Sequence, residues 1–327
     1  MLKIGIVGLG NISNVHLCAI EKIPGAKLVA ACDIDIAKRH KVPGDVKFYT
    51  NVEEMLDNEK IDCLHICLPH YLNVPICLLA AKKGVNVFVE KPVGMNQADI
   101  KGLRGVADKI RVGVCLQNRY NETTLRLKEI IDHETYGKIT GIKAVLTWSR
   151  DMGYYKDSWR SDVGTSGGGV IITQAIHTID LMQYLAGEVD WVKGMSGNLL
   201  HEALGVEDTA CAHMSFKNGA AGVFYSTVTY VRNSAVEFEV VLENALLRIT
   251  DGKLVLMGEN EEVLAENGAA EGGKDYWGNK HYEAICSFYE TLSGNRDDYI
   301  TIDEAAKAVY VIDAIVESAK GGKRIYL

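Results

Sequence analysis

The chain has 327 residues, 47% of them hydrophobic and 5 of them proline, with a formal net charge of −8 at pH 7. Such a length predicts two domains rather than one core, and the acidic balance excludes non-specific binding to nucleic acid or anionic membrane surfaces. No run of 18 apolar residues occurs and the N-terminus reads as a core strand, so a soluble cytoplasmic protein without membrane or nucleic-acid partners is expected.

An apolar strand is predicted over 2–7, leading into Gly8, Gly10, Asn11, Ile12 and Ser13. A helix follows over 11–22, and a second apolar strand over 27–32 ends on Asp33. Strand, glycine turn, helix, strand and carboxylate form the layout of a dinucleotide-binding βαβ unit. Gly8 allows the tight turn, and Gly10 lets backbone approach a pyrophosphate. Ser13 stands where a small residue permits close helix–strand contact. The amides at the helix start then face the pyrophosphate charge. Asp33 is placed to accept hydrogen bonds from the adenine ribose.

Further strands are predicted over 62–67, 85–89 and 111–115, and helices over 51–57, 73–83 and 96–109. Their short, continuous apolar runs suit a parallel sheet covered on both faces. Cys63, His65 and Cys67 alternate along one such strand and therefore share one face of the pleat. They read as buried side chains, and no metal is expected. Glu90-Lys91-Pro92 closes the strand at 85–89, at the carboxyl end where open α/β sheets present ligand-binding groups. There Lys91 can hold a substrate hydroxyl, polarise a developing carbonyl or share in proton transfer. In isolation the tripeptide would be a surface turn.

A connecting helix is predicted over 121–134, after which the pattern changes. Strands are expected over 138–148, 191–199, 208–217, 220–229, 235–243, 245–250 and 253–257, with helices over 170–185, 279–292 and 303–318. Residues 259–274 read as an exposed loop and 323–327 as a final strand. The fold class is therefore α/β plus α+β: an N-terminal domain (1–120) on a parallel sheet, and a C-terminal domain (121–327) on a largely antiparallel sheet. Gly167, Gly168 and Gly169 precede the helix over 170–185, which carries Thr173, Gln174, His177 and Asp180 on neighbouring faces. His177 is the candidate for exchanging a hydroxyl proton, a satisfied core histidine being the alternative.

Taken together, the nucleotide turn, Asp33, Glu90-Lys91-Pro92, the segment 167–180 and His281 in Gly278-Asn-Lys-His281 resemble the glucose–fructose oxidoreductase / inositol dehydrogenase / rhizopine-catabolism (Gfo/Idh/MocA) family over essentially the whole chain. The resemblance implies a Rossmann domain followed by a domain with a large open sheet. It also implies a sugar or cyclitol substrate and a homodimer or homotetramer formed through the outer sheet face. Lys91 and His177 would be catalytic. Gly8, Gly10, Asn11, Ile12, Asp33, Pro69, Glu90 and Gln117 would serve the cofactor, with Asn118 and Arg119 beside the nicotinamide or in ordinary hydrogen bonds.

Tyr155, Trp159, Arg160, Thr173 and Gln174, with Tyr154 nearby, would serve the substrate or plug the space between domains. His281 would face the same cleft or pack within its helix. Two positions depart from the family pattern. Thr173 replaces an aspartate that normally tunes the histidine, and Asn73 replaces a histidine, with His70 close by. Asp33 followed by Ile34 favours NAD over NADP, which Lys38 or Arg39 would have to reach. The implied activity is hydride transfer between nicotinamide and a secondary alcohol or ketone. The alternatives are an NAD-dependent glycoside-cleaving enzyme with transient redox and a catalytically inactive ligand-sensing regulator.

Overall fold

The computed structural model describes residues 1–202, 204–268, 280–296 and 298–327. Their contacts divide into two units, Met1–Leu116 with His281–Ala306 and Gln117–Lys280 with Lys307–Leu327. Gly278 and Asn279, singled out in the sequence, and the later part of the loop expected over 259–274 lie outside the described residues. Among the described residues, no helix is long and apolar enough to cross a membrane.

The first unit runs β1 (Leu2–Val7), α1 (Ser13–Lys22), β2 (Ala26–Cys32), β3 (Lys47–Tyr49), α2 (Val52–Asn58), β4 (Cys63–Ile66), α3 (His70–Lys82), β5 (Asn86–Glu90), α4 (Gln97–Gly102) and β6 (Val112–Cys115). The six strands pair in the order β3-β2-β1-β4-β5-β6, every pair parallel. The order reverses between β1 and β4, which is where a doubly wound sheet opens a crevice at its strand ends. The interior strands β4 and β6 are buried along their whole length, which explains their unbroken apolar runs. The short β3 was not expected, because its Lys-Phe-Tyr sequence carries no apolar run. The helix expected over 96–109 stops at Gly102 and continues as turns.

The second unit begins with α5 (Glu122–Asp132) and β7 (Ile139–Thr147). Short helices follow, α6 (Met152–Tyr155), α7 (Val163–Ser166) and α8 (Val170–Thr173), before α9 (Ile176–Ala186). Then come β8 (Val189–Gly197), β9 (Thr209–Phe216), β10 (Ala221–Thr227), β11 (Glu237–Leu242), β12 (Ala245–Thr250), β13 (Lys253–Met257) and β14 (Glu262–Glu266); α10 (His281–Leu292) belongs to the first unit, and α11 (Ile302–Gly321) and β15 (Ile325–Tyr326) follow it in the chain. Nine strands pair in the order β14-β13-β12-β11-β7-β10-β9-β8-β15. All neighbours are antiparallel except β7 and β10. Burial alternates along β7 and β9, so one sheet face lies under α9 and α5 and the other is open.

Three expectations change here. The sequence 262–266 is strand β14 rather than loop. The helix expected over 170–185 is two helices broken at Gln174 and Ala175, where the Ala175 N–H reaches back to the Val170 carbonyl. Four successive β-branched residues, Val170, Ile171, Ile172 and Thr173, resist continuation of a helix. The third concerns the boundary expected at 120. The chain changes unit after Leu116 and returns for 281–306, because α10 packs on α1 and β6 and the Val114 N–H donates to the Ile300 carbonyl at 2.9 Å.

The anchor of that return is Phe288, fully buried with its ring 5.6 Å from that of Phe88 on β5. Replacing Phe288 by Ala is expected to cost about 3–5 kcal/mol, read as a lowered midpoint in denaturant unfolding. A shift within a few tenths of a kcal/mol would separate α10 from the core of the first unit.

Candidate functional site

Gly8 has φ +87° in the turn after β1, and a Cβ there would lie 2.5 Å from the Cys67 carbonyl oxygen, so only glycine fits. A Cβ on Gly10, by contrast, would meet no atom of the protein. Packing therefore does not explain that glycine, whereas close backbone approach to a pyrophosphate does. No side chain caps α1, and its Asn14 and Val15 N–H groups turn back to the Asn11 and Ile12 carbonyls at 3.3 and 3.0 Å, so the entry of the helix carries no competing side chain where an anion would approach. Ser13 donates to the Gly10 carbonyl at 2.7 Å, and Asn11 and Ile12 carry the chain from the loop into the helix. The fit to a dinucleotide is good.

The Asp33 carboxylate accepts the Leu9 N–H at 2.7 Å and the Asp35 N–H at 2.9 Å, and Lys38 bonds both its oxygens at 3.2 and 3.1 Å. Burial pulls this carboxyl upward, but these donors hold it below the ordinary value. Arg39 is committed to the Val42, Pro43 and Gly44 carbonyls. Lys41, which no sequence signal marks, donates to the Leu9 carbonyl at 2.8 Å and the Gly10 carbonyl at 3.3 Å. Pro69 immediately precedes α3.

At the end of β5, Lys91 is half-buried and joined to Pro92 by a cis peptide bond. Asn73, in α3, donates its amide to the Glu90 carbonyl at 3.2 Å and the Pro92 carbonyl at 2.8 Å. It thus holds the backbone on both sides of Lys91, and His70 occupies the first position of α3. The Glu90 side chain turns inward, away from the cofactor role expected of it, because its oxygen bonds His16 Nε2 at 2.9 Å within α1. His16 Nδ1 lies 2.8 Å from His65 Nδ1, and His65 Nε2 lies 2.7 Å from the Tyr289 hydroxyl.

Two protonation patterns satisfy this chain: with both histidines neutral, His65 Nδ1 donates to His16 and Tyr289 donates to His65 Nε2, and the charged alternative is the one that the surroundings of His16 favour. In that charged pattern His16 is an imidazolium that donates from both nitrogens, and neutral His65 accepts from it and donates to Tyr289. Burial alone would lower His16, but its neighbours Cys67, Cys115 and Glu90 hold it well above the ordinary histidine value. Burial and the His16 charge push His65 well below it. Glu90 sits far below the carboxylate range, its desolvation overcome by His16, His281 and Lys91. The donor atoms of His16, Glu90 and Cys115 lie within 4.8 Å of one another, but His16 and Glu90 already bond each other.

His281, whose Nε2 is 3.8 Å from Glu90, is lowered to about 4 by burial, with Glu90 opposing the shift. In the unfolded chain it takes its proton near pH 6.5. Its contribution to stability is therefore complete above that pH and is lost as pH falls towards 4. The expected size is up to about 3 kcal/mol. Denaturant unfolding at pH 7 and pH 4.5 should show a smaller loss in His281→Gln than in the parent; equal losses would place the acid sensitivity elsewhere.

In the second unit, the glycines before α8 are clasped by Glu207. Its carboxylate accepts from the Gly169 N–H at 2.8 Å and the Ile171 N–H at 3.1 Å, and its carbonyl accepts from Val170 at 2.9 Å. A Cβ on Gly169 would fall 1.7 Å from the Glu207 carbonyl oxygen. Burial raises the Glu207 carboxyl despite those donors. Thr173 is 8% exposed and donates its hydroxyl to the Gly169 carbonyl at 2.6 Å, so its proton serves the helix. His177 lies half-buried in the first turn of α9, past the break, so the continuous four-residue spacing expected between it and Thr173 is absent.

Gln174 donates to the Tyr154 hydroxyl at 2.7 Å. The Arg160 guanidinium stacks 4.4 Å from the Trp159 ring and 5.1 Å from the Tyr154 ring. Tyr155 departs from its expected substrate role: it is 3% exposed and packs behind Tyr154 and against His201. Tyr154 holds the accessible position instead. Arg119 forms a buried bidentate pair with Asp180 at 2.9 and 2.7 Å, which commits both to structure, and Gln117 is buried in the adjoining 3₁₀ turn. Glu207 had no legible signal, whereas His16 could have been suspected as a polar residue on the packed face of α1.

Residues 2–117 match an "Oxidoreductase family, NAD-binding Rossmann fold" and residues 124–248 match a "GFO/IDH/MocA C-terminal domain". Myo-inositol 2-dehydrogenase of Thermotoga maritima is 27% identical over 68% of this chain and 67% of that protein. The scyllo-inositol 2-dehydrogenase (NAD(+)) of Bacillus subtilis is 24% identical over 100% of this chain and 96% of its own. The WlbA dehydrogenase of Bordetella pertussis, solved with NADH and UDP-GlcNAcA, superposes with a TM-score of 0.87 at 25% identity, covering 100% of this chain and 98% of that one. With one match on the nucleotide-binding strands and the other on the open sheet, the chain belongs to the Gfo/Idh/MocA family of NAD-binding oxidoreductases.

Proposed function

We propose that the chain transfers hydride between NAD and a secondary alcohol or ketone of a sugar, sugar derivative or cyclitol. The observation that carries this reading lies in the first unit. A glycine loop fitted to pyrophosphate and an Asp33 fitted to ribose share a sheet with Lys91, which sits at a strand end. The two inositol dehydrogenases among the relatives and the WlbA complex support a polyhydroxylated substrate.

Bound NAD supplies the hydride acceptor, or as NADH the donor. Lys91 and His177 are the groups offered for the hydroxyl proton. In the oxidation direction one of them takes that proton as the C–H hydride departs, and in reduction it returns it. Asn73 and Glu90 hold the Lys91 backbone in place. The exposed face of the nine-stranded sheet, with Met195 72% and Val223 52% exposed, supports a homo-oligomer joined there.

Purified protein with NAD and a panel of sugars, sugar acids and cyclitols should produce NADH, followed at 340 nm. Lys91→Ala and His177→Ala should each lower kcat at least about 100-fold without loss of folded protein. Unchanged kcat in either variant removes that residue from proton transfer. Asp33 should also make kcat/KM with NAD at least about tenfold higher than with NADP, and equal use of both would overturn the assignment of Asp33 as the selecting charge.

A further inference from the structure

A cleft of about 510 Å³ in the second unit is lined by Ser149, Arg150, Asp151, Tyr154, Arg232 and Asn233, together with Val231. Its rim carries an unusual charge arrangement. The Arg150 guanidinium lies 5.4 Å from the Tyr154 ring centroid and 5.2 Å from that of Trp148. Arg160 lies 5.1 Å from the same Tyr154 ring. Among the described residues, no carboxylate stands within salt-bridge distance of Arg150, Arg160 or Arg232. Asp151 lines the cleft too, but its oxygen accepts the Tyr154 N–H at 3.1 Å and caps α6.

Arg150 and Arg160 are held in place rather than trailing in solvent, whereas Arg232 is exposed. Arg150 donates from one nitrogen to the Ser149 carbonyl and to Asn233 Oδ1, each at 2.7 Å, leaving the rest of its fork for an acceptor. Arg160 donates to the Ser158 hydroxyl at 3.3 Å and stacks on Trp159. Tyr154, the ring between them, accepts from Gln174 at 2.7 Å, and Gln174 stands three residues before His177. Cationic charge is thereby tied through one hydrogen bond to the segment that carries the candidate proton-transfer histidine. Guanidinium groups donate to neutral hydroxyls as well, but an oxyanion meets them with bidentate, charge-assisted bonds that are stronger and also balance their charge.

We infer that the substrate carries an anionic substituent, a carboxylate or a phosphate, bound by Arg150 in the cleft beside Tyr154, with Arg160 and Arg232 adding charge. This rests on the hydride-transfer reading given above and narrows its substrate class to acidic or phosphorylated sugars. Aromatic stacking keeps the two arginines extended, so the anion meets an ordered site.

The test uses glucose, glucuronate and glucose 6-phosphate as probes, with the whole protein saturated with NADH, and binding followed by calorimetry at low and high salt. At least one anionic probe should bind at least about tenfold more tightly than glucose, with a preference that shrinks as salt rises. Arg150→Gln should abolish that preference, and Arg150→Lys, which keeps the charge and loses the fork, should restore part of it. Glucuronate favoured over the phosphate identifies a carboxylate site, and the reverse a phosphate site. If neither anion binds better than glucose, or if the preference survives Arg150→Gln, the inference falls. Binding is read without turnover, so an absence of NADH formation in the activity panel counts against hydride transfer and leaves this result standing on its own.

Discussion

An ionised carboxylate with almost no access to water is tolerable only beside a partner, and the first unit is organised around that requirement. Glu90 ends β5 as a buried group, and its partner His16 comes from the helix that follows the glycine loop. The pair therefore couples the helix that follows the glycine loop to the strand end that carries Lys91. Asn73 holds the opposite side of the same turn by its amide, bonding the carbonyls that flank Lys91. Buried ion pairs are weak sources of net stability, since desolvation offsets attraction, yet losing one partner costs about 3–5 kcal/mol. What the Glu90–His16 pair supplies is position. It explains why a residue adjacent to the candidate base is occupied inside the fold instead of reaching outward.

The second unit reaches a comparable end with backbone rather than with paired side-chain charge. Glu207 receives the N–H groups at the entry to α8, so its carboxylate does what a helix cap does while the helix itself spans only Val170–Thr173. Gly169 is required because the Glu207 backbone passes where any Cβ would stand. The Thr173 hydroxyl closes the turn by bonding back to the Gly169 carbonyl. An aspartate at this position would lack that donor when ionised and would set a negative charge beside a buried carbonyl. Threonine here thus suits a helix entry stabilised from within.

Much of this fold was legible in the sequence, for identifiable reasons. Strands β1, β2, β4, β5 and β6 are short apolar runs bounded by turns, and burial on both faces leaves that signature directly. β3 and β14 escaped because their residues alternate or carry charge at a sheet edge, where pairing rather than burial defines the strand. The return of α10 to the first unit is a long-range packing event, carried by Phe288 against Phe88, and no local pattern encodes it. Gly8, Asp33 and Lys91 stand just after β1, β2 and β5, the strand ends at which the sequence pattern put them. The inward turn of Glu90 was not legible, since its partners His16 and His281 are far apart in sequence and meet only in the folded chain.

Asp33, the proposed selector of cofactor charge, is a group that is already engaged. Its carboxylate anchors the glycine turn through the Leu9 N–H and accepts Lys38 at the same time, so one side chain couples loop geometry to electrostatics. A ribose with free hydroxyls can donate to that carboxylate while Lys38 remains in place. A 2′-phosphate would face the same carboxylate and would have to draw Lys38 away from it, removing the charge that balances Asp33. Arg39, the nearest guanidinium in sequence, is bound to three backbone carbonyls and offers the phosphate no replacement. The proposed preference for NAD thus depends on the Asp33–Lys38 pair as a unit. Removing Asp33 alone would release a lysine into the ribose region, favouring the phosphate by the same change that removes the repulsion.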